Sequence, residues 1–120
     1  MPRKAREVIP NVPYHITQRG NFSEKIFDND YDKEVYLNLF NNYSIEYNLK
    51  VFAWCLMDNH VHFIVEPIDK SGMSNVFKIV SMRYSQYFNK KKGRNGKLWQ
   101  DRYFSLILDS DHFYEAVKYV

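Results

Sequence analysis

Residues 51–67, VFAWCLMDNHVHFIVEP, carry the pattern on which the fold turns. Val51 to Met57 is continuously apolar and aromatic, as expected of a central strand covered on both faces. Asp58 and Asn59 supply a tight turn. His60 to Glu66 then alternates, with Val61, Phe63 and Val65 on one face and His60, His62 and Glu66 on the other. Two antiparallel strands joined by a short turn are therefore expected, with two imidazoles projecting from the same side of the second.

Upstream, Val12 to Arg19 (VPYHITQR) alternates and ends at Gly20-Asn21, so it reads as a strand. Asn29 and Asp30 can cap a helix that carries Tyr36, Leu39, Phe40, Tyr43 and Tyr47 on one face. Downstream, Pro67 to Gly72 reads as loop. Met73, Val76, Phe77, Val80, Tyr84, Tyr87 and Phe88 then follow the helical period. Lys90 to Lys97 reads as a basic loop and Leu98 to Leu108 as a strand. Ser110 is placed to cap a last helix with Phe113, Ala116, Val117 and Val120 as its apolar stripe. The order strand, helix, strand, strand, helix, strand, helix predicts an α+β sandwich, ferredoxin-like, with an antiparallel sheet flanked by helices.

The composition agrees with one such domain over residues 1–120. Hydrophobic residues make up 45% of the 120 and aromatics 18%, against four Gly and four Pro, which excludes a disordered or loop-dominated chain. A single cysteine, Cys55, excludes a disulfide scaffold and a cysteine-based zinc finger, and suits a reducing compartment. No apolar run approaches the ~20 residues that span a bilayer, and the basic start is followed by no apolar segment. A cytoplasmic protein that does not enter membranes is expected.

The net charge of +3 hides an asymmetry. Arg3, Lys4 and Arg6 lie in the first six residues, and Lys90, Lys91, Lys92, Arg94 and Lys97 fall in one acid-free run. The remaining nine basic residues face fourteen acidic ones, leaving the rest of the chain at −5. Two cationic patches on an acidic body suit an anionic partner such as a phosphate backbone. They suit a solvated tail and a solvated turn equally.

His60 and His62 are the residues best placed for chemistry. Two neutral imidazoles at i and i+2 of a strand can ligate a divalent cation, or stand as two hydrogen-bonded histidines with no metal. Two ligands are too few for a closed structural zinc site, so an open site that also takes a substrate oxygen is the better fit. For a nucleophile the chain offers ten tyrosines. Tyr84 and Tyr87 fall within the apolar stripe of their helix and read as core. At about 100° per residue, Tyr119 lies roughly 110° from the centre of the last helix's stripe, on the flank of His112 and Glu115. It is the late tyrosine best placed to face something other than the core, and it also suits an amphipathic boundary position.

The segments PYHITQRGN, CLMDNHVHFIVEP and RYSQYFNKKKGRNGKLWQDRYFS together resemble the single-tyrosine HUH-type transposases of the small insertion-sequence and repetitive-palindrome-associated group. The resemblance covers essentially the whole chain. It implies a ferredoxin-like fold, Mg²⁺ or Mn²⁺ held by His60 and His62, and Tyr119, in its Val117-Lys118-Tyr119 context, as the nucleophile. It implies strand cleavage and transfer on single-stranded, hairpin-bearing DNA through a 5′-phosphotyrosine. Arg3, Lys4, Arg6, Lys90, Lys91, Lys92, Arg94 and Lys97 would then contact DNA, with Arg19, Arg102 and His15 as further phosphate contacts or as structural residues. In the family the last helix continues past the tyrosine, and an Asn or Gln one turn later completes the metal site. This sequence ends at Val120: either it is truncated relative to its relatives, or another residue (Glu66, His112 or Glu115) or a homodimer partner completes the site. A DNA-binding remnant of the same fold, without catalysis, is the alternative, and a metal-dependent phosphoesterase a third reading. If both longer helices cover the Val61, Phe63 and Val65 face, the last helix must lie near the histidines.

Overall fold

The computed structural model describes residues 8–119. Its elements are β1 (Tyr14–Arg19), α1 (Asp30–Glu46), β2 (Leu49–Leu56), β3 (His60–Pro67), α2 (Gly72–Lys92), β4 (Phe104–Ile107) and α3 (Ser110–Tyr119). The four strands form one antiparallel sheet in the order β2-β3-β1-β4. Each of the two helical crossovers skips one strand, which is the ferredoxin-like arrangement expected from the element order.

One strand assignment changes. β2 was expected at the centre of the sheet, but it lies at an edge, and the central strands are β3 and β1. Phe52, Trp54 and Met57 are accordingly exposed. A continuous apolar run is compatible with burial on both faces but does not require it. Here a bulge between Val51 and Ala53 breaks the alternation and turns part of the run outward. The expected strand Leu98 to Leu108 also shortens to Phe104–Ile107. Upstream of it only a single bridge, Trp99 to Gly20, continues the pairing.

The aromatic residues pack the sheet against α1 and α2. Phe40 of α1 stacks on Phe63 of β3 with ring centroids 4.1 Å apart, and Phe77 of α2 meets both edge-on. Tyr36, Phe27, Tyr84 and Trp99 extend the cluster, and Val61, Phe63 and Val65 are wholly buried in it. Burial of each large ring contributes about 2–3 kcal/mol. Asn29 caps α1 through Oδ1, which accepts a hydrogen bond from the Asp32 amide at 2.9 Å. Gly93 ends α2 in the left-handed conformation at φ 62°.

That end lies beyond the sequence expectation. Lys90, Lys91 and Lys92 are not in a loop but form the last turn of α2, where positive charge is favoured by the helix dipole. At α3, the cap is Asp109 rather than Ser110: its Oδ1 accepts the His112 amide at 2.8 Å.

α3 lies on the opposite side of the sheet from α1 and α2. Its Phe113 meets Phe52 edge-to-face at 5.2 Å, next to the bulge. Ile64, which alternation turns to the histidine face, is fully buried yet absent from the cluster under α1 and α2. Phe52 alternates with the core-facing Val51, so the Phe113 contact sets the last helix on the histidine side of the sheet. No helix among the described residues is long and apolar enough to cross a membrane.

Candidate functional site

β3 enters the sheet at His60, immediately after the Asp58-Asn59 turn, and register places His60 opposite Arg19 and His62 opposite both Thr17 and Cys55. The two imidazoles stand perpendicular with centroids 4.8 Å apart. His60 Nδ1 lies 2.7 Å from Asn59 Oδ1. His62 Nδ1 lies 3.2 Å from His15 Nε2 and 3.3 Å from Thr17 Oγ1. Both Nδ1 atoms are thus engaged, and among the described residues neither Nε2 has a protein partner. A ring held at one nitrogen presents the lone pair of the other in a fixed direction, as metal-ligating histidines do.

Burial lowers the pKa of His62 to about 4, with the neighbouring His60, His15 and Arg19 charges acting the same way. Burial also lowers His60, aided by Arg19, and lowers His15. The three rings therefore remain neutral at physiological pH, which is the ligating form. Among the described residues no group of three or more His, Cys, Asp or Glu is arranged to enclose a metal ion.

Two clefts flank the pair. One, of about 340 Å³, runs from Thr17 and Arg19 to Gln100, Arg102 and Phe104. The other, of about 580 Å³, lies at His60 itself, between Ser23, Lys25, Lys33 and Asp58. A larger cleft of about 680 Å³ opens between α2 and Leu98–Tyr103. It contains none of the histidines, and its volume alone does not make it the site of chemistry.

The remaining expected residues divide sharply. Lys91 Nζ reaches the wholly buried Asp32 at 2.6 Å and Asp28 at 3.3 Å, Lys92 reaches Asp28 at 3.1 Å, and Arg94 reaches Glu24 at 3.0 Å. These three cations are engaged within the protein, whereas Lys90 and Lys97 are exposed and form no ion pair among the described residues. Arg19 and Arg102 share the cleft beyond Thr17. Glu66 pairs with Lys50 at 3.6 Å, His112 with Asp109 at 2.8 Å, and Glu115 approaches Lys118 at 4.0 Å. Arg3, Lys4 and Arg6 lie outside the described residues, as does the side chain of Tyr119, whose backbone ends α3.

Sequence reasoning did not find the holding partners. Asn59 was read as a turn residue and His15 as a phosphate contact or structural residue, yet both sit against the paired histidines. The signal for His15 is the β1–β3 register, which no single strand's pattern contains.

Comparison with known proteins gives one family and two informative folds. The model of the family described as "Transposase IS200 like" matches residues 8–120. No curated protein matches the chain. A solved REP-associated tyrosine transposase bound to a REP hairpin is similar over all of this chain and 70% of its own, at 16% identity and a TM-score of 0.75. A transposase structure from Deinococcus radiodurans R1 is similar over 98% of this chain and 94% of its own, at 13% identity and a TM-score of 0.65. At these identities the likeness to solved structures is one of fold.

Proposed function

The chain belongs to the IS200-like transposase family, and on that premise we propose that it cleaves and rejoins single-stranded DNA beside a hairpin, through a covalent bond to Tyr119. The observation that carries this reading is the His60–His62 pair, with both Nδ1 atoms held and neither Nε2 partnered among the described residues. That donor set fits a divalent cation of the Mg²⁺ or Mn²⁺ class, and His60 and His62 would hold it through Nε2. When bound, the ion supplies Lewis-acid stabilisation of the charge that builds on a non-bridging phosphate oxygen.

The protein's own residues do the rest. Asn59, His15 and Thr17 keep the two rings in place. Arg19 and Arg102 sit in the adjoining cleft at a position suited to the phosphates on one side of the cut. Tyr119 lies on α3, the helix whose Phe113 packs on the histidine side of the sheet. Its phenol oxygen, on losing its proton, attacks phosphorus in line. A P–O bond forms to tyrosine, the bond to the 3′ oxygen breaks, and that oxygen leaves with a proton as a 3′ hydroxyl. The phosphotyrosine conserves the ester bond, so a second 3′ hydroxyl can reverse the step and join a different end.

The test is a labelled hairpin-bearing single strand incubated with the chain, with and without Mn²⁺, and resolved on a denaturing gel. A covalent adduct that disappears in Tyr119→Phe and in His60→Ala is the expected result. Hairpin binding that survives EDTA and both substitutions, with no adduct from the unaltered chain, would make this a DNA-binding member without cleavage chemistry.

A further inference from the structure

The tight turn between β1 and α1 presents an aromatic ring to solvent. Phe22 is 87% exposed, and it and Ser23 both take left-handed backbone, at φ 54° and 57°. Residues with side chains seldom adopt that region, and a bulky ring there is exceptional. The turn is nevertheless tightly anchored. Gly20 N–H donates to the Asn59 carbonyl at 2.8 Å and Ile26 N–H to the Asp58 carbonyl at 2.7 Å. A Cβ on Gly20 would lie 2.4 Å from the Glu24 carbonyl oxygen, so only glycine allows this winding.

Asn59 joins the turn to the candidate metal ligand. Its Nδ2 donates to the Ser23 carbonyl at 3.4 Å while its Oδ1 holds His60 Nδ1 at 2.7 Å. The cleft at His60 is lined by Ser23, Lys25 and Lys33, and neither lysine forms an ion pair among the described residues. Asp58 is the one acid on its rim. Two lysines without an ion pair among the described residues and a concave surface therefore lie at His60, and the exposed ring is carried by the residue next to Ser23 on the cleft wall.

We propose that Phe22, Lys25 and Lys33 form a nucleotide subsite for single-stranded DNA. The base next to the cut stacks on Phe22, and the phosphate of that nucleotide lies between the two lysines. Aromatic stacking tolerates any base and is available only to an unpaired one, so the subsite selects single strand over duplex at the point of cleavage. The inference rests on the DNA-cleaving reading for the location of the cut.

The test is fluorescence anisotropy with a labelled hairpin oligonucleotide bearing a single-stranded flank, in EDTA so that binding is read apart from cleavage. Phe22→Ala and Phe22→Leu should each weaken binding about tenfold, while Phe22→Trp should retain it. Lys25→Gln with Lys33→Gln should flatten the dependence of log affinity on log salt by about 1.4. Melting temperatures within about 2 °C of the parent would show that the variants fold. A Phe22→Ala chain that binds within twofold of the parent overturns the subsite. A parent chain that binds the oligonucleotide through Phe22 but forms no adduct overturns the cleavage chemistry and leaves the subsite standing. A parent chain that does not bind overturns both.

Discussion

The histidine face and the far end of α2 are two polar concentrations within the described residues, and the fold uses them in opposite ways. At the end of α2, Lys91 binds the buried Asp32 carboxylate, which also accepts from the Tyr87 hydroxyl at 2.7 Å and the Asp28 amide at 2.9 Å. Lys92 and Arg94 are paired with acids nearby. Charge there is spent on holding α1 to α2. At the histidine face, neighbours engage one nitrogen of each paired ring, and the other has no protein partner among the described residues. Charge density in sequence thus does not measure charge available to a ligand. What distinguishes the two regions is whether each polar atom already has a partner.

The difference can be broken at either end. The largest effect is expected from His62→Ala, which should abolish Mn²⁺ binding, read by titration calorimetry, and with it the DNA adduct. Stability in urea should change by no more than about 1 kcal/mol, because a half-buried ring without apolar packing is lost. Asp32→Ala should do the reverse. It strips a wholly buried carboxylate from Lys91, Tyr87 and the α1 first turn, and should cost about 3 kcal/mol while leaving Mn²⁺ affinity in place. A stable Asp32→Ala chain would show that the α2 end is not a structural latch.

Acid separates the regions a second way. The histidines sit below their ordinary 6.5 in the fold, so on acidification the unfolded chain takes up protons first. Their stabilising share is complete above about pH 6.5 and is lost as pH falls toward about 4. Asp32 is pushed up by burial, but Lys91, the Asp28 amide and Tyr87 outweigh that and hold it below its ordinary 3.8. Its share is present above 3.8 and is lost only as pH falls below that. Urea unfolding measured across this range should show two separate declines, the upper one reduced in His62→Ala and the lower one in Asp32→Ala.

The smallest effects sharpen the comparison within one basic run. Lys90→Gln and Lys97→Gln, in exposed residues with no ion pair among the described residues, should each reduce the salt slope of single-strand DNA binding by about 0.7 and leave stability within about 0.5 kcal/mol. Lys91→Gln should instead lower stability and barely change that slope. Equal slopes for all three would show that Lys91 contacts DNA despite its ion pairs.

Much of this was written locally in the chain. The α1 cap at Asn29, the helical periods of α1 and α2, the alternation of β3 and the shared face of His60 and His62 depend on residues a few positions apart. Backbone geometry turns such spacings directly into faces. These elements and their order were enough for an α+β ferredoxin-like fold and for the histidine pair. The edge position of β2, the partners of Lys91 and the placement of His15 beside His62 depend on residues about fifty positions apart or more. Sequence periodicity says which face a side chain takes but not which strand or helix lies against it. Only strand order, register and helix packing decided that three of the five cations in the basic run would be ion-paired, that Asn59 would tie the β1–α1 turn to His60, and that α3 would lie on the histidine side. Those outcomes rest on close packing between distant segments, where a single residue's neighbours are fixed by the whole fold at once.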